Sequence, residues 1–114
     1  MSFEFTWRSE FEAEINQALR ARENGNEGMA RVSARRAVGI LLGEYLTRQG
    51  YENPSNSAYD RLTRFTSLPE IDEQVKATCG DFLLKVDSDR NLPPDIDLIA
   101  EAQWLCKRIF PDLS

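Results

Sequence analysis

The chain has 114 residues, of which 41% are hydrophobic and 29% charged, the balance of an ordinary globular protein. This length fits one domain spanning residues 1–114, and it excludes a TIM barrel or a dinucleotide-binding domain with a separate substrate domain. A protein that binds long nucleic acids usually presents a basic surface. The formal net charge here is −5, so any basic surface must be confined to a small part of the molecule.

The chain contains no histidine, which excludes Ser-His-Asp and Cys-His catalysis and metal sites with histidine ligands. Its two cysteines, Cys79 and Cys106, do not form a CxxC motif and cannot make a structural zinc site alone. Both fall at apolar positions of helical patterns. They are therefore expected to be buried free thiols rather than a disulfide, and neither a metal nor a cofactor is expected.

Neither a targeting segment nor a membrane span is predicted. The N-terminal sequence MSFEFTWRSEFEAEI is polar and acidic, unlike a signal peptide. The longest apolar stretch, residues 37–42, is too short to cross a bilayer. We therefore expect a cytoplasmic protein.

Apolar residues recur at a spacing of three to four, which predicts helices along the whole chain. The first helix is expected from about Thr6 to Arg22, with Thr6 or Ser9 as its cap. The sequence Asn24-Gly25-Asn26 should end it and lead through a tight turn into the second helix. One stripe of the first helix should face the core: Trp7, Phe11, Ile15, Ala18 and Leu19.

The second helix is expected from about Glu27 to Gln49, ending at Gly50. Small and apolar residues surround much of it, which is typical of a central helix packed on more than one side. It contains Gly39 and Gly43, each of which costs about 1 kcal/mol in a helix relative to alanine. Their presence indicates that another backbone approaches closely, either within the bundle or from a second subunit at a dimer face.

The second helix also carries Arg31, Arg35 and Arg36. Arg31 and Arg35 are four residues apart and share a face, which is suited to an anion such as a phosphate or RNA. Glu27 lies one turn before Arg31, so an ordinary Glu–Arg pair or an intersubunit salt bridge explains the same charges. Both interpretations of the arginines stay open at this point.

A loop rich in Asn, Ser and Pro follows at residues 50–57. Ser57 should then cap a short helix that runs to about Phe65. Ser67 and Glu70 have capping-box spacing and predict the start of a fourth helix that runs to about Val86. The apolar residues of this fourth segment keep a helical spacing: Leu68, Ile71, Val75, Cys79, Phe82 and Val86.

A polar turn at residues 87–93 separates the fourth helix from the last one. Pro94 suits a first helical position, and Asp95 and Asp97 suit the positive N-terminal end of a helix. Pro111 should end this helix. The elements together predict an all-α, up-and-down helical bundle of four to five helices, without an internal repeat.

The first helix, the Gly/Asn turn and the second helix, which reads ARVSARRAVGILLGEYL, resemble the HEPN-type helical domains. The resemblance covers nearly the whole chain, because a loop, a short helix, a longer helix and a final helix follow in the order of that family. It implies a bundle that dimerises. Many members of this family work beside a nucleotidyltransferase in toxin–antitoxin pairs, and the active members are metal-independent ribonucleases.

The ribonuclease signature of that family is an arginine, often followed by asparagine, with a histidine a few residues further on. Arg90-Asn91 resembles its first part and lies near the last helix, and the dipeptide equally suits an ordinary turn. Asp95, Ile96 or Asp97 stands where the histidine would fall. The resemblance therefore implies a diverged member that lacks the proton-transfer group.

Two hypotheses of function follow. The first is a small interaction or regulatory module without catalysis, HEPN-like, that acts as a homodimer or with a partner protein such as a nucleotidyltransferase. The second is a nucleotide- or RNA-binding, HEPN-like ribonuclease toxin. It requires one of the arginines of the second helix (Arg31, Arg35, Arg36) to meet Arg90 and Asn91 at one pocket.

Overall fold

The structure is a computed structural model that describes residues 7–84 and 96–111. These residues form five helices and no strand, which confirms the predicted all-α class. The helices are α1 (Trp7–Glu23), α2 (Glu27–Arg48), α3 (Ala58–Thr66), α4 (Glu73–Phe82) and α5 (Leu98–Ile109).

The turn between α1 and α2 has the geometry that its sequence predicts. Gly25 adopts a positive φ of 79°, which costs a glycine nothing, and its amide donates to the carbonyl of Arg22. The Asn26 amide donates to the carbonyl of Ala21 at 2.8 Å, which completes a Schellman motif. The Asn26 side chain then caps α2 by accepting from the amide of Met29. One tripeptide therefore ends one helix and starts the next.

The core is built around α2, which packs against α1, α3 and α5. Leu41, Leu42 and Leu46 are fully buried, and the small residues Ala34 and Ala37 let the neighbouring helices approach closely. The prediction that this helix is central is confirmed. It ends at Arg48, one residue before the predicted end, and Gly50, whose φ is 81°, follows the C-cap Gln49 as expected.

The inner face of α1 differs from the prediction at one position. Leu19 is 39% exposed, whereas Ala21 is buried at the end of the stripe. The reason is that α1 packs mainly against the single helix α2, so that only a narrow arc of its surface is covered. Ser9 lies inside the helix and is not its cap, and Thr6 lies outside the described residues.

The predicted start of the fourth helix is wrong. Ser67 ends α3 as its C-cap, and its hydroxyl donates to the carbonyl of Arg64. The observed cap is Asp72, five residues after the predicted one, and its carboxylate accepts the amide of Val75 at 2.9 Å. It also ends early, at Phe82, shortly after Gly80, a weak helix former. Val86, the predicted end, lies outside the described residues.

The last helix starts later than predicted. Asp97 is its N-cap and accepts the amides of Ile99 and Ala100 at 3.1 and 3.2 Å. The carboxylate thereby satisfies two amides that have no partner within the helix. Pro94 and Asp95 lie outside the described residues, and the helix ends at Ile109, two residues before Pro111.

One arginine joins three helix ends. Arg22, near the end of α1, donates two hydrogen bonds to Glu27 at the start of α2, and its third contact is the capping carboxylate of Asp97. The hydrogen bonds from Arg22 hold the pKa of Glu27 below its ordinary value. Glu27 thus pairs with Arg22, and the charge of Arg31, one turn further along α2, also lowers its pKa. None of the described helices is long and apolar enough to span a membrane.

Candidate functional site

Arg35 and Arg36, neighbours in sequence, lie on different sides of α2. Arg35 is half-buried, and its Nε donates to the carbonyl of Phe82 at the end of α4, 3.0 Å away. Burial, and then the charge of Arg31, lower the pKa of Arg35. Arg36 is exposed and lines a recess between α1 and α3. Arg31 is half-buried.

Arg90 and Asn91 lie outside the described residues. The meeting of these residues with the arginines of α2 therefore stays a prediction. Within the described residues, the three arginines of α2 do not converge on one recess, because Arg35 is turned toward α4 and Arg36 lines the recess beside Glu14.

Gly39 and Gly43 both contact α3 of the same chain. A Cβ added to Gly39 would lie 2.9 Å from Ala58 Cβ and 3.1 Å from Ala58 Cα. A Cβ added to Gly43 would overlap the guanidinium group of Arg61. Because α2 has no side chain at these two positions, α3 can approach its backbone closely. The close approach expected at these glycines is therefore seen within the chain.

Arg61 is the centre of this contact. Its Nε donates to the carbonyl of Ser55 at 2.7 Å, Nη1 to the carbonyl of Gly39 at 3.0 Å, and Nη2 to Asn56 Oδ1 at 3.2 Å. The guanidinium group thereby fastens the loop before α3 to the backbone of α2. All of these acceptors are uncharged, and no carboxylate of the described residues lies within ion-pair distance of Arg61.

A groove runs along α2 on either side of Arg61, and we call it the Ile40 groove. It is formed by α1, α2 and α3 with the loop before α3, and Ile40 is its half-buried apolar floor. Arg61 divides it into a recess of about 310 Å³ and one of about 250 Å³. The first recess is lined by Glu14, Arg36 and Asn56 and the second by Glu10, Glu44, Thr47 and Asn53, with Ile40 and Arg61 in both.

The Ile40 groove contains polar groups without partners among the described residues. Glu14 Oε1 and Asn53 Oδ1 are buried acceptor atoms that receive no hydrogen bond. Arg36 and Glu10 make no hydrogen bond or ion pair with another described residue. Because an unpaired buried acceptor costs about 1–3 kcal/mol, we expect Glu14 Oε1 and Asn53 Oδ1 to accept hydrogen bonds from water or from a bound molecule, whereas Arg36 and Glu10 are exposed to solvent.

The two cysteines are poor nucleophiles. Cys79 is free and buried, and burial raises the pKa of its thiol to about 12. Cys106 is free and half-buried, beside a recess of about 290 Å³ between α1 and α5, and burial raises its pKa as well. Both thiols are therefore protonated at neutral pH. Within the described residues there is also no group of three or more Cys, Asp or Glu that could hold a metal ion.

A second polar cluster consists of Glu70, Tyr45 and Tyr51, and its contacts hold two segments of the chain together. Glu70 accepts hydrogen bonds from the hydroxyls of Tyr45 and Tyr51, at 3.2 and 2.8 Å. The ring of Tyr45 packs edge-on against Phe65, and Arg64 lies over the ring of Tyr51. These contacts attach the segment between α3 and α4 to the end of α2.

Glu101 of α5 is the most perturbed carboxyl group of the described residues. Its Oε1 is buried and receives no hydrogen bond there. Burial, and then the neighbouring carboxyl of Asp81 on α4, raise the pKa of Glu101 to about 7. The charge of Asp97 contributes to the same rise. The two carboxyl groups lie at the contact between α4 and α5, so that the charge of Glu101 affects that contact.

We expect the folded state to lose stability as the pH rises from about 4.5 to about 7. The folded pKa of Glu101 lies above the ordinary value of 4.5, so its contribution is complete at low pH and disappears once the group ionises. After allowance for the partial exposure of this group, the loss is about 1 kcal/mol. Urea unfolding between about pH 4 and 8 measures it, since this range brackets both the unfolded and the folded pKa.

Glu101→Gln should flatten this dependence and be the more stable protein above pH 7. Glu52→Gln, in an exposed loop, is the matched control and should keep the wild-type slope. If the Glu101→Gln variant retains the full slope, Glu101 is not the group responsible.

A comparison with known protein families, curated proteins and solved structures finds no match. The described residues form a small all-α domain of five helices, with the Ile40 groove along its central helix.

Proposed function

We propose that this chain is a non-catalytic, HEPN-like interaction module that binds a second protein chain, either its own copy or a partner protein, through the Ile40 groove. The observation that carries the proposal is the composition of the groove. It combines an apolar floor, charges of both signs and two buried acceptors without donors. The helix order and the long central α2 support the HEPN-like part of the proposal.

A protein partner fits this surface better than a small anion does. Glu14 shares the first recess with Arg36 and Arg61, and Glu10 and Glu44 line the second, so both recesses contain carboxylates. A protein surface supplies amide donors, carboxylates and cations together, and complementary charges on two surfaces give specificity and register. The lack of histidine and the protonated thiols support a role without catalysis.

The second candidate is the nucleotide- or RNA-binding protein, resembling a HEPN ribonuclease. One observation favours it: Arg36, Arg61 and the amide of Asn56 line the same recess of about 310 Å³. Guanidinium and amide donors are suited to a phosphate group. Arg61 already uses its donors within the chain, however, and Glu14 repels an anion in that recess.

Native mass spectrometry of gently purified protein separates the two candidates. The interaction module should carry a second protein chain, at about 26 kDa if that chain is a copy of the 13.0 kDa protein. Ile40→Glu, which places a charge on the apolar floor, should weaken this association by at least about tenfold. Ala77→Glu, a charge added to the exposed surface of α4, is the control and should leave the association unchanged.

An added mass of nucleotide size that disappears on denaturation would favour the second candidate. A bare monomer with no bound chain, or a complex that is indifferent to Ile40→Glu, would contradict the proposed module.

A further inference from the structure

Three residues of α2 line the Ile40 groove at intervals of four: Arg36, Ile40 and Glu44. They place a cation, an apolar group and an anion in order along the groove. We propose that the Ile40 groove binds an extended segment of another protein that carries an acidic, an apolar and a basic side chain at alternate positions. This proposal rests on the proposed function and specifies the chemistry of the partner.

The spacing of the three residues matches that of an extended chain. Successive members lie four residues apart in α2, which is about 6 Å along the helix axis. In an extended chain, side chains at alternate positions point to the same side and are about 6.6 Å apart. An acidic residue beside Arg36 therefore brings an apolar residue over Ile40 and a basic residue to Glu44.

The basic side chain fits the Glu44 end of the groove. Glu44 accepts a hydrogen bond from Arg48 at 2.8 Å, and its carboxylate has further lone pairs for a second cation. Glu10 of α1 lines the same recess and has no partner among the described residues. A lysine or arginine of the segment would thus meet two carboxylates, one of which lacks a cation.

The acidic side chain fits the Arg36 end. Arg36 is exposed and makes no ion pair with another described residue, so a carboxylate can reach it from the solvent side. A small anion inside this recess would meet the carboxylate of Glu14. A peptide differs from a small anion because it places its own backbone inside the recess and extends only its side chain to Arg36.

The hydrogen-bonding groups of the groove favour an extended segment over a helix. Each recess contains a buried acceptor without a donor among the described residues, Glu14 Oε1 in the first and Asn53 Oδ1 in the second. Each also contains a side-chain donor, the amide of Asn56 in the first and the hydroxyl of Thr47 in the second. An extended backbone offers free N–H and C=O groups to both kinds of partner, whereas a helix uses these groups within itself.

The test is a titration of ¹⁵N-labelled protein, followed by NMR, with the probe peptide acetyl-Glu-Ala-Leu-Ala-Lys-amide. Because a pentapeptide covers only the groove, we expect a dissociation constant of about 1 mM, measurable with up to about 10 mM peptide. The backbone amides of Gly39, Gly43 and Asn53, which line the groove, should shift on binding.

The peptide acetyl-Glu-Ala-Leu-Lys-Ala-amide is the register control. It has the same composition, but in an extended chain its lysine points away from the side that carries its glutamate and leucine. It should therefore bind at least about tenfold more weakly than the probe. A helical peptide would keep the two charges on one face in both sequences, and would lose no such affinity.

Arg36→Glu tests the polarity of the groove. This variant should bind the probe at least about tenfold more weakly than the wild type, and it should prefer acetyl-Lys-Ala-Leu-Ala-Lys-amide, which the wild type binds poorly. An exchange of preference cannot result from misfolding, and thermal melts followed by circular dichroism check the fold independently. Arg20→Glu, the same charge change on an exposed residue of α1, should leave the affinity for the probe unchanged.

Three results would each overturn the extended segment: no shift of the groove amides at about 10 mM probe, equal binding of the register control, or equal binding of the probe by the wild type and Arg36→Glu. The proposed function is tested separately. If native mass spectrometry still shows a complex that Ile40→Glu disrupts, the chain binds a protein through the groove, and that partner presents a helix or a folded surface instead.

Discussion

Replacement of Gly39 by alanine should destabilise the protein by about 1 kcal/mol, although alanine is the better helix former. The gain in helix propensity is about 1 kcal/mol, whereas overpacking against a close neighbour costs about 1–3 kcal/mol. Here the neighbour includes the backbone of Ala58, 3.1 Å from the added Cβ. Because a backbone cannot rotate away, α3 must move. Urea unfolding monitored by circular dichroism measures the change.

Gly80→Ala is the matched control for this prediction. Gly80 is also a helical glycine, but a Cβ added there meets nothing within 4 Å. The same substitution should therefore stabilise the protein by about 0.5–1 kcal/mol through helix propensity alone. Opposite signs at the two glycines would establish that α3 approaches α2 at Gly39, whereas stabilisation by both substitutions would contradict the packing described above.

Arg61→Ala should destabilise the protein by about 2 kcal/mol. The substitution removes the donors to Ser55, Gly39 and Asn56, and it leaves a gap over Gly43. Hydrogen bonds from a charged group contribute about 1.5–3 kcal/mol each when they are well formed, and partial exposure of this group to water reduces that figure. Unfolding in urea measures the effect.

Arg64→Ala provides the comparison on the same helix. Arg64 is exposed and lies over the ring of Tyr51, so its removal should cost about 0.5 kcal/mol or less. A double-mutant cycle sharpens the test, because the Cβ at Gly43 would overlap the side chain of Arg61 rather than backbone. Gly43→Ala should be destabilising in the wild type and neutral or stabilising once Arg61 is alanine. Equal effects in both backgrounds would show that the two residues are not coupled.

The part of the site that sequence reasoning found is the pair of glycines in α2. Their cost in a helix indicated a close approach, and both lie under α3. Arg61 gave no such signal, because an arginine in a short amphipathic helix is indistinguishable from a surface charge.

For the arginines of α2, too, the sequence pattern did not reveal the tertiary contacts. Their spacing placed Arg31 and Arg35 on one face, and the spacing alone did not reveal that Arg35 would bond to the end of α4. The cap of α4 is a related case, because Ser67 and Asp72 are both good caps by residue type. The choice between them depends on where α3 ends, and in the structure the Ser67 hydroxyl is used there.

The sequence by itself determined the all-α class, the bounds of α2 and the turn around Gly25. These features depend on interactions between residues a few positions apart: the spacing of apolar side chains, glycine at positive φ and the capping of helix ends. Only the tertiary structure decided which faces of the helices are covered. It left Leu19 exposed, turned Arg35 and Arg36 apart, and formed the Ile40 groove between α1 and α3. Coverage depends on how many neighbours pack against each helix, and contacts between residues distant in sequence are not encoded in any local pattern.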